Sequence, residues 1–197
     1  MIATMMGCMR PLAFGLVAVL LGVAPALAQG ERLAEKLQLC AACHGEDGNS
    51  RIEKVPSLAG QPAFFILNQL FLMREGVRKV EAMVPVVKDL KDEDLEALSK
   101  HFAGLPAKRS DEAIDADLVR KGAEIAGHRR CVSCHGPGLA GQEQIPRLAS
   151  QRIDYLRQSL KEFRDATRPG GDTAMSANLA GATDEGLVAL AHYCASM

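Results

Sequence analysis

The sequence has no tryptophan, two tyrosines and six phenylalanines among 197 residues, so aromatic side chains supply little of whatever interior it builds. It has no excess of either charge, with 23 basic against 24 acidic side chains. A nucleic-acid binder needs Lys and Arg in clear excess to displace counterions from phosphates, and that class is excluded. It has no stretch that alternates β-branched with polar residues, which removes the usual strand signal. It has no series of long apolar runs, so several membrane spans are excluded. With 48% apolar residues it also lacks the low hydrophobicity and charge imbalance of a disordered chain. What remains is a compact protein of one or two small domains.

Residues 1–28 read as a secretory signal peptide. Arg10 is their only basic side chain, an apolar run follows from Leu12 to Val23, and Pro25 precedes the small-residue triplet Ala26-Leu27-Ala28. Cleavage is expected after Ala28, which discards Cys8 and leaves 22 basic against 24 acidic residues. The rival reading is an uncleaved anchor, since the apolar run is only a little short of a span of about 20 residues. The expected destination is the periplasm.

The rest is one pattern written twice. Cys40-Ala41-Ala42-Cys43-His44 recurs as Cys131-Val132-Ser133-Cys134-His135, and Val55 to Gln61 recurs as Ile145 to Gln151. Met73-Arg74-Glu75-Gly76-Val77-Arg78 matches Phe163-Arg164-Asp165-Ala166-Thr167-Arg168, and Met83 matches Met175. The expected organisation is two tandem domains, 29–109 and 110–197, joined through the Pro, Lys, Ser and Asp-rich stretch from Gly104 to Asp115. Each half reads as all-α. One helix precedes the cysteines, another follows Gln61 or Gln151, and a last one opens at Asp92-Glu93-Asp94 or Asp184-Glu185, acidic residues that suit a helix N-terminus.

Three chemistries use a C-x-x-C pair. A thioredoxin-like dithiol wants a single motif in a βαβ setting, and this chain has two motifs and no strands. Zinc wants four ligands close together, and each pair here lacks two. Covalent haem explains all five positions of each pentad, because the two sulfurs bond the porphyrin and the adjacent His44 or His135 becomes an axial ligand of the iron. Two covalently bound haem c groups are therefore expected, held by Cys40, Cys43, Cys131 and Cys134. A large ring system would also fill the interior that about 80 residues poor in aromatics cannot fill alone.

Whether such an iron is open to substrate depends on its sixth ligand. Four of the eight methionines precede the cleavage point. Met73 aligns with Phe163 and Met197 ends the chain, so only Met83 and Met175 keep register, 39 residues after His44 and 40 after His135. Both are expected in loops before the final helices, as axial ligands; the plain alternative is a core gap-filler. His/Met ligation leaves no open coordination position and suits one-electron transfer. Arg78 and Arg168 recur between the middle helix and the Met segment, where a guanidinium either pairs with haem propionates or simply faces solvent. Pro56 and Pro146 either carry a carbonyl to the imidazole N–H or mark ordinary turns. Cys194 reads as a small buried hydrophobe, and the unrepeated His101, His128 and His192 as ordinary surface or cap residues.

The two pentads, the P-x-L-A-x-Q segments at Pro56 to Gln61 and Pro146 to Gln151, and the spaced Met83 and Met175 resemble the dihaem cytochrome c4 family over essentially all of residues 30–197. The resemblance implies two class I cytochrome c folds related by a pseudo-twofold axis, each wrapped around its haem. It implies an electron carrier and not an enzyme, often membrane-associated, passing electrons from a cytochrome bc complex or a dehydrogenase to a terminal oxidase. Phe65 stands where the second half has Tyr155, which departs from a symmetric tie between domains. The rival expectation is the haem subunit of a dehydrogenase complex, such as a flavocytochrome acting on sulfide or an alcohol-oxidising enzyme, which needs a permanent apolar partner surface.

Overall fold

The computed structural model describes residues 23–197. The signal-peptide reading falls outside the described residues but for residues 23–28, which begin the first helix. The first half comprises α1 (Val23–His44), α2 (Ala63–Arg74), α3 (Val84–Val87) and α4 (Asp92–Ala103). The second comprises α5 (Ala116–His128), α6 (Val132–His135), α7 (Ile153–Arg164), α8 (Thr173–Leu179) and α9 (Asp184–Ser196), with a 3-10 turn at Pro137–Leu139. Among the described residues there is no strand, only an isolated bridge between Gln142 and Ile145.

Local sequence explains the helix ends. The Asp94 carboxylate accepts from the Lys91 N–H at 2.9 Å and Thr183 Oγ1 accepts from the Gly186 N–H at 3.1 Å. These bonds satisfy free donors at the starts of α4 and α9. Asp115 does the same for α5 through the Asp117 and Leu118 N–H groups. Each half then closes on its own core. Ile66, Val87, Leu90, Leu95, Leu98 and Phe102 form the first; Leu156, Leu160, Leu179, Leu187 and Leu190 are among the residues of the second. Cys194 is buried in the latter, and burial pushes its thiol up to about 12, so it stays protonated and inert.

The helix before the cysteines differs between the halves. Across the first pentad α1 runs unbroken to His44. In the second half α5 stops at His128, and a separate turn, α6, carries the cysteines. Arg130 takes a left-handed backbone, φ 53°. The Cys131 N–H donates to the Ala126 carbonyl and the Arg130 N–H to the Gly127 carbonyl, the paired bonds that close a helix at a left-handed residue. Upstream, α5 and α9 come so close that a Cβ on Gly122 would lie 2.1 Å from the Ala189 carbonyl oxygen.

The two halves meet in reciprocal pairs. Gln61 Nε2 donates to the Arg147 carbonyl and Gln61 Oε1 accepts from the Arg147 N–H. Gln151 makes the same two bonds with Ser57. Ser57 and Arg147 are equivalent in the repeat, as are Gln61 and Gln151, so the contact maps onto itself under exchange of halves, the mark of a pseudo-twofold. An asymmetric tie lies beside it. Arg152, 5% exposed, bonds Asp154 through two nitrogens at 3.0 and 2.6 Å and reaches the Ser50 carbonyl of the first half at 3.4 Å. Glu112, in the connecting segment, accepts from the Ile153 and Asp154 N–H groups and caps α7.

Candidate functional site

Each histidine of a pentad is 7% exposed, and its Nδ1 meets a proline carbonyl: His44 with Pro56 at 2.8 Å, His135 with Pro146 at 2.9 Å. A carbonyl can only accept, so Nδ1 carries the proton and Nε2 keeps its lone pair. Burial lowers the pKa of both rings, against the opposing pull of the proline carbonyls, and favours the neutral form. A buried, neutral imidazole oriented by a carbonyl is what an iron ligand requires. Of the two readings of Pro56 and Pro146, the structure supports the one in which they carry the carbonyl.

None of the cysteines of the two pentads is joined in a disulfide. Cys40 and Cys131 are half-buried against the two cores and Cys43 and Cys134 are exposed. Burial raises the pKa of Cys40 and Cys131, so neither is an activated thiolate. Among the described residues no group of three or more His, Cys, Asp or Glu is placed to hold a metal ion. These donors fit haem bound through thioethers and imidazole.

Met83 and Met175 pack against the same cores as Cys40 and Cys131, respectively. Met83 sits as expected outside the helices, in the turn that caps α3, whereas Met175 lies inside α8 and not in a loop. Leu179 explains the difference. Like Val87 at the equivalent position it is 1% exposed; it buries one face of the segment, and a helical turn lets that face point inward while its backbone groups bond locally. Arg74 Nη1 donates to the Leu90 carbonyl at 3.1 Å and also to Asp92; Arg164 Nη1 donates to the Ala182 carbonyl at 3.2 Å and also to Asp184. Both arginines stood in the repeated sequence with no assigned role, and the register was their signal.

Among the described residues a second fastening is found in the second half and not in the first. Arg129 donates through Nη1 to the Asn178 carbonyl and through Nη2 to the Ala180 carbonyl, and Asn178 Nδ2 returns a bond to the Arg129 carbonyl at 3.0 Å. Asp172 caps α8 through the Ala174 and Met175 N–H groups. Their counterparts Gln38, Val86 and Val80 offer no equivalent, so the repeat gave no warning of them.

Arg78 and Arg168 lie at the meeting of the halves. Arg78 bonds Gln69; Arg168 bonds Glu162 and Ser159, and its Nη2 donates to the Tyr155 hydroxyl at 3.2 Å. Burial pulls the pKa of Arg78 down and pushes that of Tyr155 up, but the two guanidinium groups more than offset the latter and leave the hydroxyl below its ordinary value. Of the remaining histidines, His192 Nδ1 accepts from the Asp115 N–H at 3.2 Å and His101 sets its ring edge-on to Phe102.

An all-helical chain with two such thiol, imidazole and thioether sets defines a c-type cytochrome. The family model described as cytochrome c matches residues 119–197, and the one described as cytochrome c oxidase, cbb3-type, subunit III, matches residues 25–101. Cytochrome c4 of Thiocapsa roseopersicina is 34% identical over 79% of this chain and 85% of its own. A thiosulfate dehydrogenase electron acceptor of Stutzerimonas stutzeri (strain A1501) is 31% identical over 95% and 94%. The crystal structure of reduced recombinant cytochrome c4 from Pseudomonas stutzeri superposes with a TM-score of 0.77 at 29% identity, covering 85% of this chain and 97% of that one. The chain belongs to the cytochrome c4 family. It is a dihaem electron carrier rather than a catalyst, with two covalently bound haem c groups in two cytochrome c domains.

Proposed function

We propose that this protein carries single electrons in the periplasm, from a cytochrome bc complex or a dehydrogenase to a terminal oxidase, with peripheral membrane association. Its domains are 29–109 and 110–197, after export and cleavage of residues 1–28. Bound haem supplies reversible one-electron chemistry. Cys40 and Cys43 hold one group by thioethers, and Cys131 and Cys134 the other. His44 and Met83 would ligate the iron in the first domain, and His135 and Met175 the iron in the second. The carbonyls of Pro56 and Pro146 fix each imidazole ring, and the Met83 and Met175 sulfurs would leave the iron no open position for a substrate. Arg78 and Arg168 hold propionates: among the described residues Arg78 has no carboxylate partner, and Arg168 shares only Glu162, so guanidinium capacity remains beside a buried hydroxyl. The observation that carries the reading is the pair of buried histidines with Nδ1 bound to a proline carbonyl, set in each domain in register with one methionine.

A second reading, the electron-exit subunit of a dehydrogenase complex, is favoured by one surface. The outer face of α2 carries Phe64 and Phe71, 52% and 43% exposed, where α7 has Asp154 and Lys161. Solvent-facing aromatics in one domain alone suit a lasting partner. The relative named as a thiosulfate dehydrogenase electron acceptor indicates the class of enzyme. The native mass of the haem-stained species from its host's periplasm and membranes separates the readings. A free species of the chain's own size supports the carrier, and a stoichiometric complex with a dehydrogenase replaces it with the second reading.

A further inference from the structure

One peptide group in each domain has both polar atoms committed to different domains. The Pro56 carbonyl accepts from His44 Nδ1 at 2.8 Å, and the N–H of that same peptide, on Ser57, donates to Gln151 Oε1 of the other domain at 2.8 Å. The mirror arrangement joins His135 Nδ1 to the Pro146 carbonyl at 2.9 Å and the Arg147 N–H to Gln61 Oε1 at 3.0 Å. Each glutamine closes its grip by donating Nε2 to the next carbonyl, on Ser57 or Arg147, at 2.9 Å. Gln61 and Gln151 are 5% and 4% exposed, so water does not compete for these bonds.

We propose that Gln61 and Gln151 are positioning residues that act across the domain boundary, Gln151 setting how strongly His44 donates to the first iron and Gln61 how strongly His135 donates to the second. The inference rests on the proposal that these histidines are axial ligands. An acceptor on a peptide N–H polarises the amide and makes its carbonyl a stronger acceptor, because bonds in a chain reinforce one another in a low dielectric. A stronger carbonyl pulls harder on the Nδ1–H of the imidazole, which raises the basicity of Nε2. A more basic ligand stabilises the oxidised iron, so each glutamine lowers the reduction potential of the opposite domain's centre. Two features distinguish this from simple adhesion between domains. The amide gripped is the one that holds the histidine, and the grip occurs twice under the pseudo-twofold.

The test is a redox titration of the dihaem holoprotein in which each centre is followed by its own assigned histidine ring N–H or methionine methyl resonance. Gln61→Leu is expected to raise the midpoint of the second centre and leave the first in place, with the His135 ring N–H resonance moving toward a weaker hydrogen bond. Gln151→Leu is expected to do the reverse. A shift confined to the variant's own domain, an equal shift of both centres, or no shift overturns the proposal. Gln151 also accepts from the Arg152 N–H at 3.0 Å; if Gln151→Leu does not accumulate, Gln61→Leu decides alone, with Gln61→Met as the variant closer in volume. Failure of the ligand assignment is visible separately, because the unsubstituted protein would then lack the shifted ring N–H resonances of iron-bound imidazole.

Discussion

In both domains an arginine at the end of the middle helix, Arg74 or Arg164, fastens the methionine-bearing segment at its C-terminal side, and a buried aliphatic residue, Val87 or Leu179, anchors it. Beyond that the domains part. The second adds Asp172 at the start of α8 and the reciprocal Arg129–Asn178 pair, and it presses α5 against α9 at Gly122. The first has four-residue α3 without a side-chain cap. Its α1 meets α4 through Leu33 and Leu37 at the core, with Arg32 and Lys36 near Asp94 at 3.7 and 3.6 Å. The two cations share one carboxylate at long range, and the Arg32 side chain is half in solvent, so these pairs contribute little. The same Cys, His and Met positions are thus set in two scaffolds that differ in their fastenings: the repeat is kept at those positions and lost at Arg129, Asp172 and Asn178.

Substituting the methionines should break the comparison outright. Met83→Ala and Met175→Ala are each expected to remove the sulfur-to-iron absorption of one centre and lower its potential, and the double variant to remove all of it, as read by visible spectroscopy of the oxidised protein. If either single variant leaves the spectrum of the unsubstituted protein, that domain is not His/Met-ligated.

Gly122→Ala strikes the tightest crossing of the second domain. The added Cβ has only backbone to push against, so a loss of about 3 kcal/mol in denaturant unfolding is expected. A cost below about 0.5 kcal/mol would show that α5 and α9 separate easily.

Arg129→Gln with Asn178→Val gives the second domain the residues of the first. Losing the clamp should speed displacement of Met175 by imidazole about tenfold, the size expected from the three exposed hydrogen bonds removed at about 0.5 kcal/mol each. Stopped-flow mixing of the oxidised protein would show a fast phase unchanged and a slow phase that approaches it. Two phases identical in the unsubstituted protein would mean the clamp does not govern ligand release.

The smallest effect concerns the connecting segment. Lys108 Nζ bonds the Asp47 carboxylate at 2.7 Å, and this bond, with the Asn49 N–H, holds that carboxyl down at about 2. Gly138 stands at the equivalent place in the second domain. A carboxyl whose folded pKa lies below its unfolded value of about 3.9 contributes fully above pH 4 and loses its contribution as pH falls toward 2. Asp47→Asn should therefore flatten the pH dependence of unfolding free energy between pH 4 and 2 and change nothing at pH 7 beyond the loss of one exposed pair. An unchanged slope would place the acid sensitivity elsewhere.

The sequence by itself determined the helical class, the duplication, the thiol and imidazole positions and the registered methionines. All of these are local spacings or repeats, and a repeat preserves what both halves need. It also left Pro56 and Pro146 open between turn and carbonyl, and placed Met175 in a loop, because burial of Leu179 cannot be seen without the core that receives it. Tertiary structure alone decided the crossed grip of Gln61 and Gln151 on the opposite domain's peptides, the Arg129–Asn178 clamp, and the Arg152 tie to the first half. The reason is physical: hydrogen bonding between residues 49 to 102 positions apart depends on how two surfaces are oriented, and spacing along a chain does not encode that orientation.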